Sequence, residues 1–252
     1  IDHRLTNSGL LKFTYMFLQP TVYVPGAFPG NGGVATDLRH QSAGISEVHT
    51  ITPNIVNEIT LGYARIRSFG AQQGLGTNHT VQSGIGGFDV TSGTYPGFPG
   101  LTPSGFAGLN ANNFQPLRFR ENNYNLRDLL SITRGRHTID AGIDLTRHAN
   151  FTTNSARSRG NFTFSGTYTG NAFGDFLLGI PFQGERSFPR DLFGYYWTVV
   201  EPFIQDSWKV TPRLTLNMGL RYSLFRRPTA MHNVLSSVDP IANRIVVASD
   251  DQ

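Results

Sequence analysis

The chain has 252 residues, of which 38% are hydrophobic and 15% charged, with a formal net charge of +4. No run approaches the roughly 18 uninterrupted apolar residues of a transmembrane helix, which excludes a helical membrane protein. Cysteine is absent, which excludes disulfides and thiolate metal sites. The basic residues are scattered rather than gathered in a stripe, so the charge does not indicate a nucleic-acid partner. The high aromatic, glycine and proline contents favour an all-β fold with long loops.

Seven strands are predicted from hydrophobic alternation and turn residues. The first lies in GLLKFTYMFLQP and follows a predicted turn at Asp2–Arg4. Three hairpins come next, with tight turns at 52–54, 134–136 and 209–212. The strands cover about residues 10–18, 41–51, 55–67, 118–132, 137–147, 194–208 and 213–225.

The last predicted strand alternates for eleven residues, from 214 to 224. Its apolar positions are Leu214, Leu216, Met218, Leu220, Tyr222 and Leu224. Period-two alternation indicates one apolar and one polar face. Eleven residues at about 3.3 Å each, tilted by about 45°, span about 25 Å, the height of the apolar band of an outer-membrane barrel.

The predicted connections alternate in length. Those after the second, fourth and sixth strands have about three to five residues, and the others have about twenty to fifty. In a meander, this places every short turn at one end and every long loop at the other, which is typical of outer-membrane barrels. We therefore predict that residues 1–252 form an antiparallel up-and-down transmembrane β-barrel, partial and with long extracellular loops, in the outer membrane of a Gram-negative bacterium. The alternative is a soluble β-sandwich whose apolar faces pack against each other.

Two sets of candidate site residues follow from the alternation. Asp140, Asp144, Asn217 and Arg221 are predicted to face a polar lumen, where the two aspartates either bind a cation or hydrate the interior and pair with arginines of a plug. Trp208 and Tyr222 lie near opposite ends of the last hairpin and are candidates for the two aromatic girdles.

The loop at 70–115 is rich in Gly, Asn, Ser, Pro and Phe. Its aromatic residues can stack on a sugar or aromatic ligand at the cell surface, or pack the loop against itself. These candidate residues are Phe88, Tyr95, Phe98, Phe106 and Phe114. In the next long loop, FTFSGTYTGNAFGDFLLG is predicted to form a short strand and a helical turn.

Enzymatic motifs are not found. The seven histidines lack metal-site spacing such as H-E-x-x-H, and SGIGGFD matches neither the P-loop nor a dinucleotide fingerprint. No G-x-S-x-G elbow is present. We therefore predict no enzyme activity, no catalytic residue, no metal and no cofactor.

The stretch FIQDSWKVTPRLTLNMGLRYSLF resembles the barrel of TonB-dependent outer-membrane receptors. It combines an aromatic residue, Gln205–Asp206, Trp208–Lys209, a proline turn, alternating leucines and the run 219–222. IDHRLT, GRHTIDAGIDL and GNFTFSGTYTGNAFGDFLLGIP resemble the Oar-like subgroup, whose members often carry a carboxypeptidase-regulatory-like N-terminal domain. Together these stretches sample the chain from end to end.

The resemblance implies a plugged barrel of about 22 strands that imports a scarce small-molecule or oligosaccharide substrate with energy from a TonB complex. No plug, TonB box or regulatory-like domain is recognised within these residues. Seven strands also leave two open edges in lipid, so the sequence is predicted to be a piece of a longer barrel that reaches TonB through N-terminal parts outside it. Siderophore, oligosaccharide, peptide and cobalamin all stay open as substrates. A passive porin-like, adhesion or secretion barrel, and a secreted soluble adhesin or carbohydrate-binding module, are the alternatives.

Overall fold

A computed structural model describes residues 1–26, 32–87, 96–110, 114, 116–154, 156–187, 193–231 and 236–247. Its elements, in chain order, are β1 (Asp2–Arg4), β2 (Gly9–Leu18), β3 (Thr21–Val24), β4 (Val34–Thr52), β5 (Ile55–Gln72), α1 (His79–Gln82), β6 (Gly100–Pro103), β7 (Leu109–Asn110), β8 (Leu117–Arg134), β9 (His137–Asn154), β10 (Asn161–Phe164), α2 (Ala172–Leu177), β11 (Gln183–Glu185), β12 (Phe193–Thr211), β13 (Leu214–Arg221), β14 (Leu224–Phe225), β15 (Thr229–Ala230), β16 (Ser236–Asp239) and β17 (Arg244–Val247).

One sheet dominates the fold. Its strands follow the order β1-β2-β4-β5-β8-β9-β12-β13, with β3 beside β4 and with β14 and β15 beside β12. All of its pairings are antiparallel, and each long strand pairs with the next long strand along the chain, as in an up-and-down meander. The seven predicted strands and the alternation of short turns with long loops are confirmed. Among the described residues, the sheet is open between β1 and β13.

The strands extend further toward the long loops than the alternation predicted. β4, β5, β8 and β9 each have 18 or 19 residues, because the ladder continues where the apolar alternation has ended. At the amino terminus the prediction was wrong. Asp2–Arg4 is a strand paired with Leu10–Lys12 rather than a turn, and the chain reverses at residues 5–8.

The last predicted strand is interrupted at Tyr222. β13 pairs with β12 up to the partners Phe203 and Arg221, and pairing resumes at Val200 and Leu224. The Tyr222 N–H donates to the carbonyl of Pro202 (3.0 Å), but Pro202 has no N–H to return. In an antiparallel sheet, the N–H and C=O of one residue point to the same neighbouring strand. The hydrogen bond that Pro202 cannot donate is therefore missing on the β13 side, and the ladder between β12 and β9 is continuous.

The outward face of the sheet is apolar and uncovered. One register row runs across six strands through Phe13, Ile45, Leu61, Leu126, Leu145 and Val200. Exposure rises to 72% at Leu220. Among the described residues, the buried hydrophobic side chains are Phe164, Ala172, Val199 and Ala230, and Pro99 and Pro116 are fully buried. A sandwich would cover this face with a second sheet, whereas a barrel presents it to lipid.

The two long loops that follow β5 and β9 join in one small lobe, which comprises the sheet β11-β10-β6-β7 and the helix α2. β6 and β10 pair in parallel, with Gly100 beside Asn161. Asn171 caps α2 through its side-chain oxygen, which accepts hydrogen bonds from the amides of Phe173 and Gly174. The predicted short strand and helical turn in this loop are therefore confirmed. No helix in the described ranges is long and apolar enough to cross a membrane.

Candidate functional site on the polar face of the sheet

Asp144 is the centre of a charge network on the polar face of the sheet. Its Oδ2 lies 3.2 Å from Nη1 of Arg221, and its Oδ1 lies 3.9 Å from Nε of Arg127. Arg221 also approaches Glu201 at 3.9 Å, and Glu201 accepts a hydrogen bond from Ser223 (2.6 Å). The register sets this arrangement, since Arg127, Asp144 and Glu201 lie opposite one another on β8, β9 and β12, and Ser223 lies in the interruption between β13 and β14.

Phe203 lies within the same network. The guanidinium carbon of Arg221 is 4.8 Å from the centre of its ring, and that of Arg127 is 5.8 Å away, so the ring receives two cation–π contacts. Gly142, its register partner on β9, leaves room for the ring, because a Cβ at Gly142 would lie 2.8 Å from the Phe203 Cζ. The network thus combines ion pairs, an aromatic ring and half-exposed arginines.

The remaining lumen candidates also lie on this face. Asp140 accepts a hydrogen bond from the Ser131 hydroxyl (2.6 Å), and Asn217 accepts one from Ser207 (2.8 Å). The structure therefore places all four candidates on one side of the sheet but joins only Asp144 and Arg221 directly. Within the described ranges, no group of three or more histidines and carboxylates is arranged to hold a metal ion.

Trp208 and Tyr222, the girdle candidates, have the outward parity of the strands. Trp208 lies opposite Leu216, and its indole stacks on His137 with ring centres 5.3 Å apart. Tyr222 follows β13 and is 63% exposed. They lie near opposite ends of the hairpin, and their assignment to the two aromatic girdles stays a prediction.

Two acids on the outward face have polar partners near the short turns. Asp128 accepts a hydrogen bond from Asn57 (2.6 Å), and Asp206 lies 2.7 Å from Nδ1 of His137. Each carboxylate therefore has a polar neighbour on the adjacent strand, which lowers the cost of carrying it close to lipid.

The loop aromatics belong partly to the lobe. Phe106 packs on Phe173 with ring centres 5.2 Å apart, and Phe98 lies 5.8 Å from the ring of His79. Phe106 and Phe114 are 51% and 56% exposed. Phe88 and Tyr95 lie outside the described residues. Packing within the loop thus accounts for the contacts of Phe98 and Phe106.

Two buried polar residues organise the lobe. Burial raises the pKa of the Asp175 carboxyl, but hydrogen bonds from the Thr169 hydroxyl and from the amides of Thr169, Tyr168 and Gly166 outweigh it and hold the pKa below its ordinary value. Arg159 is 5% exposed, and burial lowers its pKa to about 10. The Thr80 hydroxyl donates to the Arg159 carbonyl (3.0 Å), which ties α1 to the second loop.

Comparisons with known proteins agree with this geometry. The family model for the outer membrane beta barrel domain matches residues 1–252. The chain belongs to the outer-membrane β-barrel domain family. Membership of this family places the protein in the outer membrane, and the apolar face of the barrel domain's sheet is therefore its lipid-facing surface. The soluble β-sandwich interpretation is set aside by the same match.

The barrel domain is also similar to the outer membrane transporter YddB from Escherichia coli, whose crystal structure is known. The TM-score is 0.52 at 9% sequence identity, over 91% of this chain and 27% of the YddB chain. At this identity the likeness concerns the fold alone. The chain spans about a quarter of the YddB chain. A search of the curated proteins returned no match.

Sequence reasoning missed two outward-facing sets of residues in this barrel domain. Tyr15, Tyr63 and Tyr124 lie in one register row, and the rings of Tyr63 and Tyr124 are 5.1 Å apart. Beyond them, Arg39, Arg67 and Arg120 lie in another row. The parity of each residue could be read within its own strand, but only the register shows that the residues are neighbours.

Proposed function

We propose that this chain is part of a TonB-dependent outer-membrane receptor that imports a scarce substrate, of the Oar-like subgroup that the sequence resembles. The proposal includes no catalytic activity. Energy would reach the barrel from a TonB complex through plug and N-terminal parts of the whole protein.

The observation that carries the proposal is the charged network of the polar face. In a narrow barrel, inward side chains fill the interior, whereas a wide barrel leaves charged inward groups hydrated and able to contact a plug. The side chains of Arg127 and Arg221 are 48% and 47% exposed although both approach Asp144. Inward charges of both signs, here Arg127, Asp144 and Arg221, are groups with which a plug can pair, and this supports the proposal.

The fold and the long loops support the same proposal. YddB, named as an outer membrane transporter, shares this fold. The loops after β5 and β9 form a folded lobe at the end of the sheet opposite the short turns, where a receptor meets its substrate. Phe106 and Phe114 are half-exposed in these loops, and exposed aromatic faces can stack on an aromatic or sugar ligand.

The principal alternative is a passive porin-like barrel, and nutrient-limited growth separates the two. Cells that produce the whole protein would be compared with a deletion strain on chelated iron, an oligosaccharide, a peptide or cobalamin as the limiting nutrient. The comparison would then be repeated without TonB. The proposal expects one nutrient to require both the protein and TonB. Uptake that needs the protein but not TonB would instead identify a passive channel.

A planar-bilayer recording tests independently whether the barrel is plugged. A plugged receptor is expected to conduct little current until it is opened with denaturant, because the plug fills the lumen. A stable open conductance of the untreated protein would contradict the proposal. An adhesion barrel would show neither conductance nor a nutrient phenotype, and would instead lose cell attachment on deletion.

A further inference from the structure

The outward face carries a row of arginines that the polar lumen does not explain. Arg39 on β4 lies opposite Arg67 on β5, and Arg67 lies opposite Arg120 on β8. We call Arg39, Arg67 and Arg120 the arginine row. Arg65 lies two residues from Arg67 on the same face, and Arg147 lies on the outward face of β9.

Like charges at directly opposed positions of neighbouring strands destabilise a sheet. Arg127, Arg157 and Arg221 form ion pairs with carboxylates, whereas in the part of the chain that the structure describes no ion pair involves the arginine row. Asp37, the acid nearest along β4, accepts a hydrogen bond from Thr21 (2.8 Å). Arg120 stacks on Phe151 at 4.3 Å, and its Nε is buried without a hydrogen-bond partner. The row is therefore a concentrated positive site, and Asp37, which lines the same depression as Arg39 and Arg67, balances at most one of its three charges.

The height of the row matches a membrane interface. Arg67 is twelve residues from Ile55, the first residue of β5. This corresponds to about 40 Å along the strand and to about 28 Å in height at a tilt of about 45°. The apolar band of such barrels is about 25 Å tall. The row thus lies just beyond the apolar band on the long-loop side, which is the extracellular side of these barrels.

Two open depressions on this face fit the two halves of a lipid. The first, of about 260 Å³, is lined by Gln19, Asp37, Leu38, Arg39, Arg67 and Phe69. The second, of about 390 Å³, is walled by the apolar side chains of Leu61, Leu126 and Leu145, with Tyr124 and Arg147 at its edge. Leu61 precedes Arg67 by six residues, or about 20 Å along β5. A cationic depression therefore lies above an apolar one on the same lipid-facing wall.

We propose that the arginine row binds the phosphate groups of a phosphorylated lipid of the outer leaflet, whose acyl chain lies along the apolar depression. Planar guanidinium groups bind phosphate oxygens in pairs, and Arg is better suited to this than Lys. The phosphates relieve the repulsion within the row. The proposal is independent of what the barrel transports, because it concerns the outer wall alone.

The test uses the whole protein, purified from outer membranes and placed in nanodiscs, with diphosphoryl lipid A as the probe. Retention of the probe is measured by native mass spectrometry. The test variant combines Arg39→Gln, Arg67→Gln and Arg120→Gln. The matched control combines Arg4→Gln, Arg134→Gln and Arg213→Gln, three exposed arginines at the short-turn end. Heat-modifiable gel migration verifies that every variant is folded, and Arg67→Gln alone serves if the triple variant does not fold.

The proposal expects the test variant to bind the probe about tenfold or more weakly, because it loses several charge-assisted hydrogen bonds, while the control binds as the native protein does. Dephosphorylated lipid A is expected to bind both proteins weakly. Equal retention of the probe by the native protein and the test variant would overturn the proposal. Equal retention of diphosphoryl and dephosphorylated lipid A by the native protein would overturn it as well. Displacement of the probe by millimolar inorganic phosphate or a soluble polyanion would also overturn it, since the site would then recognise phosphate without the lipid.

Discussion

Asp144 in β9 and Arg221 in β13 form an ion pair across the polar face, with Oδ2 and Nη1 3.2 Å apart although 77 residues separate them in the chain. The intervening strand β12 places Glu201 and Phe203 beneath the arginine. The pair thus connects β9 and β13 across β12 on the lumen face of the barrel wall.

A double-mutant cycle with Asp144→Asn and Arg221→Gln tests the strength of this pair. Because the Arg221 side chain is 47% exposed, water screens the pair, and we expect a coupling free energy of about 0.2–1 kcal/mol. The measurement is unfolding in urea, followed by heat-modifiable gel migration. Arg157 and Glu185, an ion pair in the lobe at 2.7 Å, serve as the comparison pair. A coupling above about 2 kcal/mol would mean that the network is far less hydrated than its exposure indicates.

Arginine substitutions on the two faces of β13 test the assignment of the lipid-facing side. Leu220→Arg places a charge opposite Ile204 on the apolar face and is expected to destabilise the barrel by about 2–4 kcal/mol. Asn217→Arg on the polar face is expected to cost much less. Leu220 is a sharper probe than Met218, because Met218 lies opposite Asp206, which would pair with an introduced arginine.

Yield in the outer membrane and urea unfolding of the assembled protein measure the difference between the two variants. Equal losses for Leu220→Arg and Asn217→Arg would mean that the two faces of β13 have been assigned wrongly.

Two glycines on the polar face differ in the space around them. Gly142→Ala brings a Cβ against the carbonyl oxygen of Asp128 and to 2.8 Å from the Phe203 Cζ, so the backbone and the ring must both move, and we expect a loss of about 1–3 kcal/mol. Gly62→Ala meets Asn125 Cβ at an ordinary 3.5 Å. We expect it to be neutral or to stabilise by about 0.5–1 kcal/mol, because alanine is less flexible in the unfolded chain. Urea unfolding of both variants checks the order, and a more stable Gly142→Ala variant would contradict the close packing of Phe203.

The lobe is expected to depend on pH through Asp175. Its folded pKa is below the ordinary aspartate value of about 3.9, so its contribution to stability is complete above that value and is lost as the pH falls through the lowered pKa. Amide hydrogen exchange of residues 160–186 should therefore show constant protection from neutral pH down to about pH 4 and faster exchange below it, after correction for the intrinsic rate.

Asp175→Asn should lose part of this protection at neutral pH, because the amide cannot accept the bonds from Thr169 and Tyr168 at both of its ends. Asp2→Asn, on an exposed strand outside the lobe, is the control. Unchanged exchange in the Asp175 variant would show that these bonds do not hold the lobe together.

Local patterns in the sequence were sufficient to predict most of the barrel wall. The alternation from Leu214 to Leu220 and the proline and glycine turns are local features, so the strands, their two faces and the short hairpins could be predicted without a structure. The parity of Asp140, Asp144, Asn217 and Arg221 followed in the same way. The short strand and helical turn of the second long loop were also predicted from the sequence, and Asn171 is the N-cap of that helix.

Only the tertiary structure decided which distant residues meet. The register between β5 and β8 crosses a loop of more than forty residues, so the opposition of Arg67 and Arg120 is not determined by any turn. The parallel pairing of β6 with β10 and the reach of Arg221 to Asp144 are likewise long-range. The interruption of the ladder at Tyr222 was not predictable either. The N–H that Pro202 lacks matters only on the side of the strand that it would have bonded, and the sequence does not show which strand that is. Alternation can be read within one strand, whereas register requires two paired strands. The sequence therefore determined which face of the sheet each residue occupies, and the fold determined which residues meet at a site.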